Sequence, residues 1–574
     1  MEKIKQIPKK ENLKNIMILC IASIFVCLPL LNANLNIGYD DGVQHISRLI
    51  GTYQTIEEGT FFPVIMSKFC NGFGYSWNLF YSPLTAYVPL LFKLLGVSFI
   101  ACIKLFMFAV TFLSAITMYF CTKEITKNTK IAVIAGIFYI FAPYRLNDMY
   151  IRNALAELTS FVFLPMIFGG LYGILKEKPK REVGLIVGSI GLVLTHTVIT
   201  MYTAILCAIY LMVQGKKLKK RNIRNKILIS AIFILVITSF FWVPLLEHKQ
   251  AINYEVFKPG RMERTEVLIA FKLNLLELFI TPSHHIWIYE IGILSIILLL
   301  ASPIAIKKLK KKWLHTDFYY FYLFSLIGGI VCVIMTLKIF PFEYLPSILK
   351  MIQFSYRLLE FSSFFFAFIV AVNAKLIIRK IKYRDIAMIL ILLILISIPF
   401  TSHLPYTEEL NEERLIETVP VTANTGRVHA GCASFEYLPC KAFENRSYLE
   451  TRNDEIKVIE GDAQIEQAKK ENTNLTCKLS NVVENTKVEL PYIYYLGYEV
   501  ILKKEDKVIE LETYETENGF LGTTLPQMQE GILELHYEGT LQMKLSMVIS
   551  VLGIGLGILL LGYSFKKNRK RKQE

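Results

Sequence analysis

The feature that most constrains this chain is a succession of long apolar runs separated by charged connections. A helix of about 20 apolar residues is long enough to cross the hydrocarbon core of a bilayer. The runs occupy residues 15–33, 99–121, 131–147, 155–175, 183–196, 198–213, 227–246, 286–306, 317–339, 351–378, 385–402 and 542–563. The sequence therefore predicts a polytopic α-helical membrane protein with about twelve spans.

Composition and charge agree with a membrane protein and exclude a nucleic-acid partner. Apolar residues make up 53% and charged residues 19%, against about 45–50% and about 25% in soluble domains. The net charge is +15, but just over half of the 63 Lys and Arg residues fall in every second connection. Cytoplasmic connections carry such an excess, so we expect a cell-membrane protein with both termini in the cytoplasm. The basic connections are residues 3–14, 122–130, 176–181, 215–226, 307–312, 379–384 and 566–572.

This topology divides the chain into three parts. Residues 1–402 are predicted to form the membrane domain. Residues 403–541 alternate polar and β-branched residues between Gly and Pro, which predicts an extracytoplasmic β-rich domain, a sandwich in form. Residues 542–574 would add a transmembrane anchor and a basic cytoplasmic tail. Cys432 and Cys440 would then lie in an oxidising compartment, where a disulfide between them is one open alternative.

The first outer loop, residues 34–98, carries a dense group of polar side chains. Asp40 and Asp41 follow the end of the first span, and His45 and Arg48 come soon after them. If a helix begins at Asp41, helical spacing places Asp41, His45 and Arg48 on one face. An equally open interpretation is structural, with either aspartate capping the helix and the others forming a solvated face.

The chemistry of these side chains suits transfer from a phosphate-linked donor. A carboxylate of Asp40 or Asp41 would act as general base toward an acceptor hydroxyl, and His45 would serve as base, acid or phosphate donor. Arg48 would neutralise a departing phosphate through a two-pronged contact. Alternatively, the two aspartates would hold a divalent cation, Mg²⁺ or Mn²⁺, against the phosphate oxygens. No other cofactor is indicated.

Further polar residues cluster at the same ends of the predicted spans. Ionisable groups inside spans are costly and usually face a cavity or a partner. Ordinary explanations also exist, since Glu157 could pair with Arg152 and Arg357 could reach the membrane surface. The residues at these ends include Tyr144, Asp148, Arg152, Glu157, His196, Gln353, Arg357 and Glu360.

Several other kinds of site are disfavoured by the sequence. His284 and His285 are adjacent, and neighbouring residues rarely ligate the same metal ion. No CxxC pair, GxxxxGK[ST] loop, GxGxxG loop or GxSxG elbow occurs in the sequence. Cytosolic ATP or dinucleotide chemistry is therefore not supported.

Short motifs in order along most of the chain resemble a known family. They are GYDDGVQHISR, EEGTFFP, GFGYSWNLFYSPL, RNALAE, LTHT and IQFSYRLLEF. The chain resembles the YfhO-like bacterial membrane proteins and the membrane family labelled 6-pyruvoyl-tetrahydropterin synthase related, although the soluble zinc enzyme of that label is not recognisable here. These families in turn resemble GT-C glycosyltransferases, which use polyprenyl-phosphate-linked sugars at the outer membrane face.

The resemblance implies roles for individual residues. Asp40 and Asp41 become the catalytic or metal-binding pair, with His45 beside them, and Arg357 becomes a lipid-phosphate contact. The family has Gln-Phe-Pro-Trp-Arg where this chain has Gln353-Phe-Ser-Tyr-Arg357, so the backbone bend there is an open question. The polar residues at the span ends add further expected contacts beyond the resemblance: Gln353, Arg48, Arg152 and His196 to the donor phosphate, and Tyr81, Tyr144 and Glu157 in the substrate groove.

The resulting hypothesis is a membrane glycosyltransferase with a polyprenyl-phosphate sugar donor and a glycan or lipid acceptor in the cell envelope. Two other classes stay open. One is a transporter or flippase of a lipid-linked glycan, which would place charges near the bilayer midplane and often shows inverted repeats. The other is a non-catalytic membrane protein whose outer domain binds an envelope polymer.

Overall fold

The computed structural model describes residues 9–32, 34–37, 41–261, 265–280, 288–378, 380–402, 408–413, 416, 435–504 and 507–570. It forms two compact units. The first consists of Met1–His45, Val88–Ile234 and Glu263–Glu412. The second consists of Ile46–Tyr87, Leu235–Met262 and Glu413–Glu574.

Helices dominate the first unit and the beginning of the second. The described α-helices are α1 (Lys9–Cys27), α2 (Asp41–Glu57), α3 (Trp77–Phe80), α4 (Leu84–Lys93), α5 (Phe99–Thr126), α6 (Thr129–Ile140), α7 (Pro143–Tyr150), α8 (Leu155–Leu175), α9 (Glu182–Val193), α10 (Thr197–Val213), α11 (Gly215–Leu218), α12 (Arg221–Ile237), α13 (Ser239–Ala251), α14 (Thr265–Ala270), α15 (Ile293–Leu299), α16 (Ser302–Trp313), α17 (Asp317–Thr336), α18 (Ser347–Lys350), α19 (Leu358–Ile377), α20 (Tyr383–Ser402), α21 (Cys440–Glu444), α22 (Arg446–Thr451) and α23 (Leu541–Lys570). Short 3₁₀ turns cover Leu28–Leu31, Glu255–Phe257, Leu275–Leu278, Phe342–Tyr344 and Ser355–Arg357.

Length and apolar composition identify the helices that can cross a membrane. Six in the described part qualify, and up to eight do so if each of two bent pairs forms one span. The bent pairs are α6 with α7, at 45°, and α12 with α13, at 66°. The prediction of a multi-span helical membrane protein is thus confirmed, whereas the count of twelve stays a prediction. The six helices cover Lys10–Leu31, Phe99–Thr126, Leu155–Leu175, Asp317–Thr336, Ser355–Ile377 and Leu541–Tyr563.

Proline explains where the observed helices depart from the predicted runs. The run at 155–175 coincides with α8. The run at 286–306 is divided, because α15 ends at Leu299 and α16 begins at Ser302 with Pro303 in its first turn. The run at 131–147 is likewise broken before Pro143, the first residue of α7. Proline lacks the N–H that a continuing helix requires, so each break falls where a new helix can start.

Glycines bring α8 and α9 into close contact. A Cβ added at Gly170 would lie 2.4 Å from the backbone nitrogen of Leu185, and one at Gly191 would lie 2.2 Å from the Phe163 ring. Small residues permit such approach between membrane helices. This packing supports α8, whose first turn carries Glu157.

The C-terminal part of the second unit is β-rich, as predicted. Its strands are β3 (Lys457–Glu460), β4 (Gln464–Glu471), β5 (Asn474–Val482), β6 (Thr486–Ile493), β7 (Tyr498–Lys504), β8 (Lys507–Leu511), β9 (Thr513–Glu515), β10 (Phe520–Leu525) and β11 (Met528–Tyr537), while β1 (Leu35–Ile37) and β2 (Glu408–Leu410) pair in the first unit. Two antiparallel sheets result, in the orders β3-β6-β10-β9 and β4-β5-β11-β7-β8. Tyr492 joins them, since its hydroxyl donates to the Asn474 carbonyl at 2.6 Å and its ring lies 5.4 Å from that of Tyr498.

A closed ion pair lies inside the β-rich part. The Glu489 carboxylate accepts from Arg452 Nε at 3.2 Å, Tyr448 Oη at 2.7 Å and Thr516 Oγ1 at 2.8 Å. The Arg452 and Glu489 side chains are 0% and 1% exposed. Burial raises the pKa of Glu489, but the hydrogen bonds from Tyr448 and Thr516 and the Arg452 charge outweigh it and hold that pKa below its usual value.

Candidate functional site

The centre of the candidate site is the Glu157 carboxylate at the start of α8. Arg152 contacts it with two prongs, Nη1 to Oε2 at 3.0 Å and Nη2 to Oε1 at 3.2 Å. Arg357 Nε donates to Oε1 at 2.7 Å, and Tyr144 Oη donates to Oε2 at 2.6 Å. Glu157 is 2% exposed and Arg357 8% exposed. One buried carboxylate is therefore shared by two guanidinium groups and a phenol.

Arg152 connects this centre to two further carboxylates. Its Nη1 lies 2.9 Å from Asp148 Oδ1, and its Nη2 lies 2.5 Å from Asp41 Oδ2. The Asp148 side chain is 0% exposed, whereas that of Asp41 is 31% exposed. The guanidinium carbon also lies 5.1 Å from the centre of the Tyr356 ring. Asp41 is thus the most accessible carboxylate in contact with the buried arginine.

Local chain geometry places Arg152 between Asp148 and Glu157. Asp148 and Arg152 are four residues apart at the end of α7, a spacing that brings side chains together. Asn153 has φ of 49°, in the left-handed region that asparagine tolerates. Its side-chain amide donates to the Met149 carbonyl at 2.9 Å. The turn between α7 and α8 thus holds Arg152 within contact of both Asp148 and Glu157.

Arg357 is presented by a bend and a 3₁₀ turn before α19. Gln353 has φ of 66°, and its Oε1 accepts from Arg357 Nη1 at 2.6 Å. Ser355 Oγ donates to the Phe271 carbonyl at 2.7 Å, so this sequence forms the bend with serine in the position of the family's proline. Within the part of the chain that the structure describes, Arg357 Nη2 makes no hydrogen bond. That group remains available for an anionic oxygen.

A second contact repeats the pairing of α8 with α19 one turn further along. Ser160 Oγ bonds to the Glu360 carboxylate, three residues beyond the Glu157–Arg357 pair on both helices. Glu360 is fully buried, and its Oε2 has no hydrogen-bond partner among the described residues. The two helices therefore run parallel and are joined by two rungs with the same offset.

The balance of charges restricts what this cluster can bind. Asp41, Asp148 and Glu157, if ionised, carry one charge more than Arg152 and Arg357 neutralise. The Arg152 N–H groups already face carboxylates, so a phosphate there would have to displace one of them. A base at Asp41 and an anion contact at Arg357 therefore fit this geometry better than a phosphate on Arg152 does.

The two predicted histidines lie near the cluster. His196 is the N-cap of α10, where its Nδ1 accepts from the Ile199 backbone nitrogen at 3.4 Å. It is 9% exposed and interacts electrostatically with Arg357, Glu157 and His45. His45 lies on α2, one turn after Asp41, and is 7% exposed. Both imidazoles thus lie where charges of the site act on them electrostatically.

Arg48 is committed elsewhere, within the second unit. Its Nε donates to Asn78 Oδ1 at 2.9 Å, and its Nη2 donates to the carbonyls of Tyr81 and Ser82 at 3.0 and 2.8 Å. The guanidinium carbon lies 4.7 Å from the centre of the Tyr81 ring. Burial lowers the pKa of Arg48 to about 10. These contacts fasten the chain around Tyr81 to α2 and occupy the donors that the sequence assigned to phosphate.

Tyr144 and Glu157, predicted as groove residues, are bonded to each other in the cluster. Asp148 and Glu360 were noted in the sequence without a role. The four-residue spacing of Asp148 and Arg152 was the available signal for the first. Glu360 offered only its position in an apolar run.

Some predictions fall outside the described residues. These are the ones on Asp40, His284, His285 and Cys432, so the aspartate pair as a metal site and the bond between Cys432 and Cys440 stay predictions. Among the described ranges, no group of three or more His, Cys, Asp or Glu side chains is arranged to hold a metal ion. The position that a cation would take beside Asp41 would require Asp40.

Comparisons with known proteins identify relatives of the membrane part and of the whole chain. The model of the 6-pyruvoyl-tetrahydropterin synthase related domain, described as a membrane protein, matches residues 79–405. An uncharacterized protein of Lactococcus lactis subsp. cremoris (strain MG1363) is 24% identical over 622 aligned positions, covering 99% of this chain and 98% of that protein.

Solved structures of the Archaeoglobus fulgidus oligosaccharyltransferase show a distant likeness. The apo form aligns with a TM-score of 0.44 at 12% identity, over 74% of this chain and 60% of that one. The form tethered to an acceptor peptide with the NVT sequon gives 0.39 at 13% identity, over 69% and 55%. The complex of AglB with an inhibitory peptide and a dolichol-phosphate gives 0.39 at 13% identity, over 71% and 56%. This chain thus spans less than two thirds of those proteins.

Proposed function

Since the chain belongs to the 6-pyruvoyl-tetrahydropterin synthase related family of membrane proteins, we propose that it is a membrane glycosyltransferase of the GT-C type. It would transfer a sugar from a polyprenyl-phosphate donor to a cell-envelope glycan or lipid on the outer membrane face. The observation that carries this proposal is the accessible Asp41 carboxylate, held 2.5 Å from the buried Arg152. Such an arrangement suits a positioned general base.

The proposed reaction is a displacement at the anomeric carbon of the donor sugar. Asp41 accepts the proton of the acceptor hydroxyl while the hydroxyl oxygen forms its bond to that carbon. The bond from the carbon to the phosphate oxygen breaks, and the polyprenyl phosphate leaves with the electron pair. Arg152 holds the Asp41 carboxylate in place through an ion pair. Asp148 and Glu157 hold Arg152 in place in the same way. Arg152 is therefore a positioning residue.

The leaving phosphate requires a separate positive group, for which Arg357 is proposed. Its Nη2 faces no hydrogen-bond acceptor within the described residues, and Glu157 and Gln353 fix its other nitrogens. Donors aimed at developing charge contribute strongly in a site of low dielectric, and losing one costs about 10²–10³ in rate. His45 and His196 would orient or donate to the same phosphate.

The central test is turnover with a polyprenyl-phosphate sugar in proteoliposomes. Asp41→Asn keeps the shape of the side chain and removes the base, so we expect a loss of about 10²–10⁴-fold. The matched control is Asp454→Asn in the β-rich part. Asp454 pairs with Lys470 and is 63% exposed, so this substitution should leave turnover unchanged. Full turnover in Asp41→Asn would refute Asp41 as the base, whereas absence of turnover in wild type would favour a binding or transport protein.

A chelator separates the two proposed roles of the aspartates. Activity that survives chelation in wild type but is absent in Asp41→Asn supports the base. Activity lost on chelation and restored by Mg²⁺ or Mn²⁺ supports a cation held with Asp40. In cells, envelope glycans of a deletion strain should match those of the Asp40→Asn/Asp41→Asn strain and differ from wild type.

The proposed location on the outer face depends on the predicted topology. Reporter fusions at Arg221 and Lys310, in basic connections, should report a cytoplasmic position. A fusion at Glu450 should report an external one. A cytoplasmic signal at Glu450 would overturn both the topology and the outer-face site.

A further inference from the structure

A basic cavity lies in the first unit, at the ends of α1, α5, α6, α19 and α20. It has a volume of about 560 Å³, and its walls come from the starts and ends of these helices and the turns between them. The cavity shares no residue with the Asp41 cluster. Its lining residues are Glu11, Lys127, Asn128, Thr129, Lys130, Lys375, Lys380, Ile381 and Lys382.

Lysines outnumber carboxylates among the described residues that line this cavity. Glu11 is the single carboxylate among the described lining residues, and its Oε1 accepts from Thr129 Oγ1 at 2.7 Å. Glu124, which lies 2.8 Å from Lys127, is shared with Lys178 and Arg181. The described carboxylates at the cavity are therefore fewer than its five lysines.

Other contacts hold lysine side chains in place at the cavity without removing their charge. Lys130 Nζ donates to the Ile381 carbonyl at 2.6 Å and lies 5.4 Å from the centre of the Tyr383 ring. Lys14, on α1, lies 3.7 Å from the centre of the same ring. Cations held close together repel one another, and an anion placed among them removes that repulsion.

We propose that this cavity binds the phosphate headgroup of an anionic membrane lipid. Its walls are the ends of membrane helices and the turns between them, the level at which lipid headgroups lie. Basic pockets between membrane helices bind such headgroups, and each Lys near an anionic membrane surface contributes about 1 kcal/mol. A free phosphate compound offers the same chemistry, but it carries no acyl chains to lie against the apolar helices.

The test compares lipid retention by the full-length protein in native mass spectrometry. The variant Lys130→Gln/Lys380→Gln/Lys382→Gln removes three cavity charges. The control Lys307→Gln/Lys310→Gln/Lys311→Gln removes three exposed charges from α16. Each protein is exchanged into mixed micelles of phosphatidylglycerol and phosphatidylcholine. We expect the cavity variant to retain at least tenfold less phosphatidylglycerol than wild type, and the control to retain as much as wild type.

Three results would overturn the proposal. Equal losses in both variants would mean that net charge and not the cavity attracts the lipid. Unchanged retention in the cavity variant would place the lipid elsewhere. Binding of inorganic phosphate in lipid-free detergent, with the same dependence on the three cavity lysines and no preference for phosphatidylglycerol, would assign the cavity to a soluble phosphate compound. Size-exclusion profiles and thermal midpoints confirm that both variants are folded.

Discussion

Two buried arginine–glutamate pairs in this protein differ in their balance of charges and in the exposure of their members. Arg452 and Glu489 form a one-to-one pair, and their side chains are 0% and 1% exposed. Two hydroxyl groups also donate hydrogen bonds to the Glu489 carboxylate. Around Arg152 and Glu157, three carboxylates face two guanidinium groups, and Asp41 is 31% exposed. A closed pair serves the fold. A cluster in which carboxylates outnumber cations and one carboxylate is accessible is typical of functional sites.

Glu157→Gln should have the largest effect on stability. The substitution leaves both Arg152 and Arg357 buried without the carboxylate that they share. Removing one partner of a buried pair costs about 3–5 kcal/mol, and we expect the upper end here because Arg357 loses the carboxylate that it contacts and Arg152 keeps only Asp148 and Asp41. Thermal unfolding in detergent and the yield of folded protein measure the loss.

The control for this experiment is Glu182→Gln in the same unit. Glu182 pairs with Lys226 at 3.3 Å and is 32% exposed, so its loss should stay within about 1 kcal/mol. Equal effects of the two substitutions would mean that Glu157 does not organise the cluster.

Glu489→Gln should cost less, about 3 kcal/mol at neutral pH. Arg452 retains the Asn453 carbonyl at 2.7 Å and the Glu489 carbonyl at 3.3 Å, which moderates the loss. Because the folded-state pKa of Glu489 lies below its unfolded value, its contribution is present above the unfolded value and is lost as the pH falls.

The wild-type and Glu489→Gln midpoints should therefore converge as the pH falls below about 4.3, the ordinary glutamate value. Thermal unfolding between pH 3 and pH 7 measures this convergence. A difference that does not change with pH would show that Glu489 acts through its shape and not its charge.

The pair Tyr144→Phe and Tyr448→Phe compares the two clusters directly. Tyr144 donates to Glu157 at 2.6 Å and Tyr448 donates to Glu489 at 2.7 Å. Each substitution removes one hydrogen bond to a carboxylate and should cost about 1.5 kcal/mol. Only Tyr144→Phe should also change turnover of a polyprenyl-phosphate sugar. If both variants altered turnover, the closed pair would belong to the active machinery as well.

Asp41→Asn should have the smallest effect on stability, below about 1 kcal/mol, because the side chain is partly exposed. Arg152 keeps its contacts with Asp148 and Glu157. Its thermal midpoint should thus match wild type although its turnover is lost. A large fall in the midpoint would place Asp41 with the structural carboxylates and weaken its proposed role as base.

Sequence reasoning predicted the members of the cluster better than their contacts. Asp41, Arg152, Glu157 and Arg357 stand at the ends of apolar runs, where polar residues are conspicuous. Their pairing joins residues 111 and 200 positions apart, which depends on how the helices pack. Local patterns contain no information about such distant partners.

Arg48 is a second residue whose contacts could not be predicted from local sequence patterns. Helical spacing placed it on one face with Asp41. Its guanidinium instead reaches Asn78 and Ser82, residues of a loop whose path no periodic pattern predicts. The division of the run at 286–306 was more accessible to sequence reasoning, since Pro303 marks the new helix start.

The two rungs between α8 and α19 fix the register of these helices. Glu157–Arg357 and Ser160–Glu360 repeat at the same three-residue interval on both helices. Sliding one helix by a turn, about 5.4 Å, would separate both pairs at once. The two contacts therefore oppose a relative shift of these two segments along their axes. Under the proposed function, the opening that admits or releases a lipid-linked sugar would therefore lie among the elements around α8 and α19 and not between these two helices.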